Sequence, residues 1–97
     1  MHQTLERLQT WYLSQCDGDW EHGYGVSIRT LDNPGWAVKV ALEGTNLGSK
    51  AFDEVRDRYE SENDWVICRV IEGRFEGFCG PKRLADVLET FLDWAEG

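Results

Sequence analysis

The run QCDGDWEHGYG, residues 15–25, gathers the residue types from which reactive or metal-binding centres are made: Cys16, Asp17, Asp19, Glu21 and His22 around Trp20. A structural zinc site takes four ligands, usually cysteines and histidines in paired spacings. Here each occurs once, and His2 is the only other histidine in the chain. The DGD triplet begins like a calcium loop but lacks the regular ligand series and the closing glutamate at the twelfth position. Asp17, Asp19 and Glu21 could serve a carboxylate hydrolase. With eighteen acids in 97 residues, however, neighbouring carboxylates are common, and nothing nearby supplies a shaped apolar pocket. The competing expectation is a polar corner in which Asp17 or Asp19 caps backbone amides as a helix ends, with Trp20 plugging the end of the core. No metal and no cofactor are expected.

Thiol chemistry needs a lowered cysteine pKa, and Cys79 is the best-placed candidate. In CGPKR it precedes a helix whose unpaired amides, with Lys82 and Arg83, would favour a thiolate. The spacing from Cys79 to Arg83 is shorter than a phosphatase-type phosphate loop requires, and Cys68 lies inside an apolar run. Three cysteines with no CxxC pair leave at least one unpaired, which fits reduced thiols in a cytoplasmic protein. The chain has no glycine-rich phosphate loop with its lysine, no HExxH and no basic–aromatic nucleic-acid run. Glu76, between Phe75 and Phe78, would repel an RNA backbone. Apolar runs are too short to span a membrane. Catalysis is therefore not expected, although a small enzyme using Cys79 or the Asp17/Asp19/Glu21 carboxylates, or a protein that self-assembles through a free sheet edge, stands as the alternative to a binding protein.

The elements that must position these groups follow from hydrophobic period. Leu5, Leu8 and Tyr12, with Trp11 beside them, predict a helix over about 5–14, ended by CDGD. Tyr24, Val26, Ile28 and Thr30 alternate as a strand. LDNPGW turns the chain, with Pro34 fixing φ and Gly35 supplying a positive φ, and Trp36, Val38, Val40 and Leu42 return as a second strand. Residues 43–50 read as a polar loop. Residues 52–60 fit either a helical stripe or an edge strand, and the strand is preferred because SEND then leads straight into WVICRVI. That β-branched run is apolar on both faces, as an inner strand would be. Glu72-Gly73 is a two-residue hairpin turn leading into RFEGFC. Gly80-Pro81 should open the last helix, with Pro81 near its first turn, and Leu84, Val87, Leu88, Phe91, Leu92 and Ala95 form its apolar stripe. The expected fold is a single two-layer α+β domain over residues 1–97. It has an N-terminal helix, a four- or five-stranded antiparallel meander and a C-terminal helix, with both helices on one sheet face. The other face is left to solvent or a partner.

The net charge is −8, and twelve of the eighteen acids fall in residues 51–97. A negative surface steers toward a basic partner, although it also keeps a small protein soluble. Five tryptophans are more than a domain this small buries comfortably. Trp36 and Trp65 stand at strand starts beside turns, so they either cap the core or anchor a partner. The expected contact surface is an acidic, aromatic patch of Trp36, Trp65, Glu62, Asp64 and Glu76, with Asp19 and Glu21 as a second rim. Homo-oligomerisation is not indicated.

The segments QCDGDWEHGYG, TLDNPGW, SENDWVICRV, GRFEGFCGP and ETFLDWA, in that order across residues 9–95, resemble the immunity protein 53 family of bacterial polymorphic toxin systems. The resemblance implies a small cytoplasmic protein that binds and neutralises a cognate toxin encoded beside it. Phe78 and Cys79 depart from the small residues expected after FEG. The resemblance carries no set of contact residues and does not identify the toxin.

Overall fold

The computed structural model describes residues 2–58 and 64–97. Its elements run α1 (His2–Gln15), α2 (Trp20–Gly23), β1 (Val26–Leu31), β2 (Gly35–Ala41), β3 (Val55–Arg58), β4 (Trp65–Ile71), β5 (Arg74–Cys79) and α3 (Leu84–Glu96). This is the expected α+β arrangement. The five strands form one antiparallel sheet, and residues 55–58 are a strand at its edge. The remainder of the ambiguous segment, residues 59–60, lies outside the described residues, as do Glu62 and Asn63 of the SEND turn.

The strand order corrects the meander. It is β1-β2-β5-β4-β3, so the last strand in sequence lies at the centre of the sheet. After β2 the chain crosses to the far edge before β3, β4 and β5 fold back. The crossing segment is held from the helix side. Leu42 and Leu47 are buried in the core, and the Phe52 ring packs edge-on against Phe75 and Trp94. The Trp94 indole N–H donates to the Ala51 carbonyl at 2.7 Å. Lys50 Nζ donates to the carbonyl oxygens of Trp94 at 2.5 Å and Gly97 at 3.1 Å, placing a cation where the carbonyls of a helix end carry partial negative charge. Leu47 and Phe52 thus turn an apparently polar connection into part of the core.

Directly opposed residues of antiparallel strands share a face, and side chains alternate along each strand. Val40 opposes Phe75, Val38 opposes Gly77 and Trp36 opposes Cys79. Cys79, Gly77 and Phe75 in turn oppose Val66, Cys68 and Val70. All of these look toward α3, whose Val87, Leu88, Phe91 and Leu92 complete the core. A Cβ on Gly77 would overlap the Val87 side chain, so this glycine sets how closely α3 seats on the central strand. Gly35 is needed for a similar reason rather than as a turn residue. It is the first residue of β2, and a Cβ there would run into the Cys79 carbonyl.

Two helix details differ from expectation. The buried side of α1 carries Thr4 and Leu8, with Trp11 packed on the core, whereas Leu5 and Tyr12 are 47% and 39% exposed. The helix is rotated because its principal neighbour is α3: Trp11 meets Phe91 edge-on, Thr4 Oγ1 donates to Glu89 at 2.8 Å, and Arg7 bonds Asp93 and Glu96. Pro81 also stands ahead of α3 rather than in its first turn, with Arg83 as the residue before the helix. There the Pro81 carbonyl accepts the indole N–H of Trp36 at 3.0 Å.

Candidate functional site

The corner at 16–22 uses its carboxylates on its own backbone. Asp17 Oδ1 accepts the amides of Asp19 and Trp20, both at 3.0 Å. Glu21 reaches back to the amides of Asp17 at 3.0 Å and Gly18 at 2.9 Å. The amides of Trp20 and then Asp19 hold the Asp17 carboxyl below its ordinary range. The Glu21 carboxyl is lowered by its own amide, then by those of Asp17 and Gly18. These four bonds satisfy the amide donors of the turn that follows α1 and of the start of α2. Asp19, although it immediately precedes α2, makes no side-chain cap bond and is exposed. Trp20 is buried and donates to the Glu43 carbonyl at 2.9 Å. Tyr12 and Tyr24 lie against it, giving the corner an exposed aromatic flank. Among the described residues no group of three or more His, Cys, Asp or Glu side chains could hold a metal ion.

Cys79, the thiol of the alternative enzyme reading, does not have the surroundings of a thiolate. Cys79 is fully buried, and burial pushes its thiol up to about 11, outweighing the help of a Trp36 backbone contact and Arg83. Burial pushes Cys68 up to about 12. Both thiols are core-filling groups.

The predicted acidic patch does not assemble as one surface. Trp36 looks toward the helices and packs on the core. Trp65 falls on the opposite face by its register beside Arg58. It is half-buried there and, among the described residues, is the one tryptophan outside both the core cluster and the corner. Asp64 accepts from Arg83 Nη1 at 2.5 Å. Glu62 lies outside the described residues. Glu76 is not an exposed acid: only 3% of it is accessible.

Glu76 instead organises the sheet face that no helix covers. Its Oε1 accepts from Arg69 Nε at 3.0 Å and Nη2 at 2.8 Å, and its Oε2 accepts from Arg74 Nε at 2.6 Å. Burial alone would raise this carboxyl, but the bonds from Arg74 and Arg69 prevail and hold it below its ordinary value. The Arg69 guanidinium also lies over the Phe78 ring, 5.8 Å from its centre, an arrangement in which cation–π attraction adds to the ion pair. Lys39 directly opposes Glu76 on β2, and Arg29 opposes Ala37 on β1. Neither makes an ion pair among the described residues. Sequence reading missed this cluster because its members come from four strands. The available signal was that Lys39 and Arg29 fall out of phase with Val38, Val40 and Ile28, and Arg74 with Phe75; Arg69, in a run apolar on both faces, gave none.

Beside its buried thiols and backbone-bound corner carboxylates, the molecule is a small α+β domain with an acidic balance and exposed aromatics. The chain belongs to the family described as immunity protein 53, whose model matches residues 5–96. It is thus a member of an immunity-protein family, with a toxin as the partner that such a family implies. Neither the comparison with curated proteins nor that with solved structures returned a match.

Proposed function

We propose that the chain acts as one domain in the cytoplasm and neutralises a cognate toxin by binding it stoichiometrically. The observation that carries this reading is the family match over residues 5–96. Three unpaired cysteines support a reducing compartment, and among the described residues no helix is long and apolar enough to cross a membrane. The net charge of −8 supports encounter with a toxin of overall positive charge. Of the candidate contacts with described positions, Trp36, Trp65, Asp64, Asp19 and Glu21 retain accessible surface. Trp36, Glu21 and Asp64 also make bonds within the fold, and Glu76 is almost wholly buried. Co-expression with the toxin encoded beside it should rescue growth and yield a one-to-one complex. Turnover of a substrate by the isolated protein, with no complex and no rescue, would overturn the proposal.

A further inference from the structure

We infer that the uncovered face of the sheet is the surface that docks the toxin, and that it receives a carboxylate-bearing segment of that protein. This rests on the immunity reading above and adds the surface and its chemistry.

The two faces of the sheet differ in charge despite the acidic chain. Among the described residues, the strand positions facing the helices carry no lysine or arginine. The uncovered positions carry, by register, Arg29, Lys39, Arg56, Arg58, Arg69 and Arg74, six of the ten basic residues, against the single acid Glu76. Glu76 neutralises one of these charges and fixes two guanidiniums. Its two oxygens engage both Nε groups and Arg69 Nη2, leaving the other Arg74 nitrogens directed elsewhere while the Arg74 side chain keeps 42% of its surface exposed. An arginine fixed in this way presents its remaining donors with little ordering entropy left to lose, which suits carboxylates. Beside Arg74 the face sinks into a depression of about 450 Å³, where Lys39 and Arg74 line a floor of Ala41, Gly25 and Gly73. Ser27 adds a hydroxyl, and Glu43 and Glu72 also line it. Toward the other end, Trp65 and Ile67 supply apolar surface, and Ile71, 38% exposed, lies directly opposite Arg74.

Charge complementarity selects the occupant. A nucleic acid backbone needs an extended positive track, whereas these cations stop at the sheet margins. There Glu54 is bonded to Arg56, and Glu72 stands in the β4–β5 turn. A compact basic centre with apolar flanks and an acidic surround fits a protein segment whose carboxylates match the centre. Long-range attraction between an acidic chain and a basic toxin is compatible with this, because net charge governs approach and local pairs govern docking.

The test measures binding of the full chain to the catalytically inactivated neighbouring toxin. The variants are R29E/K39E and, as a control at the corner, D19K. Arg29 and Lys39 have no internal ion pair among the described residues, but charge reversal at Lys39 sets a like charge opposite Glu76. The neutral R29Q/K39Q is therefore measured beside it, and its melting should match wild type while its toxin affinity falls in the same direction. The expected result is affinity reduced by roughly 30-fold or more in R29E/K39E, little change in D19K, and competition of toxin binding by poly-glutamate but not by a single-stranded oligonucleotide. Wild-type binding that survives R29E/K39E unchanged would overturn the docking face while leaving neutralisation standing. Competition by the oligonucleotide in place of poly-glutamate would reassign the face to nucleic acid. Concentration-dependent self-association abolished by R29E/K39E, with toxin binding intact, would reassign it to a second copy. Failure of wild type to bind the toxin at all would remove the immunity reading itself.

Discussion

The corner at residues 16–22 and the uncovered sheet face both hold charged side chains in fixed positions, yet the charge is directed oppositely. At the corner, Asp17 and Glu21 point their oxygens at four backbone amides, so the carboxylates are consumed in shaping the turn. On the sheet, one buried carboxylate positions two arginines and leaves part of each guanidinium facing outward. A cluster of chemically suggestive residues close in sequence has become local structure. Residues scattered over four strands have become a surface.

The sharpest break of this comparison is Glu76→Gln. The carboxylate is almost wholly inaccessible and bonds both arginines, so its neutral isostere should cost about 2 kcal/mol in chemical denaturation, below the full cost of breaking a buried pair because the arginines are partly exposed. It should also weaken toxin binding by releasing Arg69 and Arg74. Acid titration carries the same sign. Glu76 has a lowered carboxyl pKa, so its contribution is complete above the ordinary value of 4.5 and is lost as pH falls through its lowered folded value. Melting temperature followed from pH 6 downward should therefore fall less steeply in Glu76→Gln than in wild type.

Next in size, Trp65→Ala should cost about 2 kcal/mol of toxin affinity, seen mainly as faster dissociation, while the protein still unfolds cooperatively. An unchanged dissociation rate would remove Trp65 from the interface. Gly77→Ala tests the hidden side of the same strand. Its new methyl meets Val87, and overpacking of this kind should lower stability by roughly 1–2 kcal/mol. At the corner, Asp17→Ala should lower the unfolding midpoint through loss of its two amide bonds, by less than Gly77→Ala, with toxin affinity unaltered. The smallest effect belongs to Asp19→Asn, expected within about 0.5 kcal/mol of wild-type stability. A stability loss at Asp19 as large as that at Asp17 would show that the roles of the two aspartates are misassigned.

Much of the fold was legible because local period reports which face is buried. The alternation of Val38 and Val40, the apolar run of β4 and the stripe of α3 each identified an element. Strand order was not legible, because the connection after β2 looks polar, and its two apolar anchors, Leu47 and Phe52, reveal their role only when they meet the core. The rotation of α1 escaped for the same reason: Trp11 and Thr4 bury against α3 at the other end of the chain. Among the candidate contacts, Trp36 and Trp65 looked equivalent beside their turns, but one residue of phase in the pleat sends them to opposite faces.

The sequence by itself determined α1, α3 and the strands, the acidic balance, the family resemblance and the structural character of the QCDGDWEHGYG corner, though not the short helix α2 within it, since these depend on residue type and short-range spacing. Tertiary structure alone decided that Cys79 is an inert core thiol and that Glu76 is a buried organiser rather than an exposed acid. It also decided that basic residues spread along an acidic chain share one face. The physical reason is that burial and charge pairing depend on which strands become neighbours. Placing β5 between β2 and β4 put Glu76 within reach of Arg69, opposite Lys39, and beneath no helix.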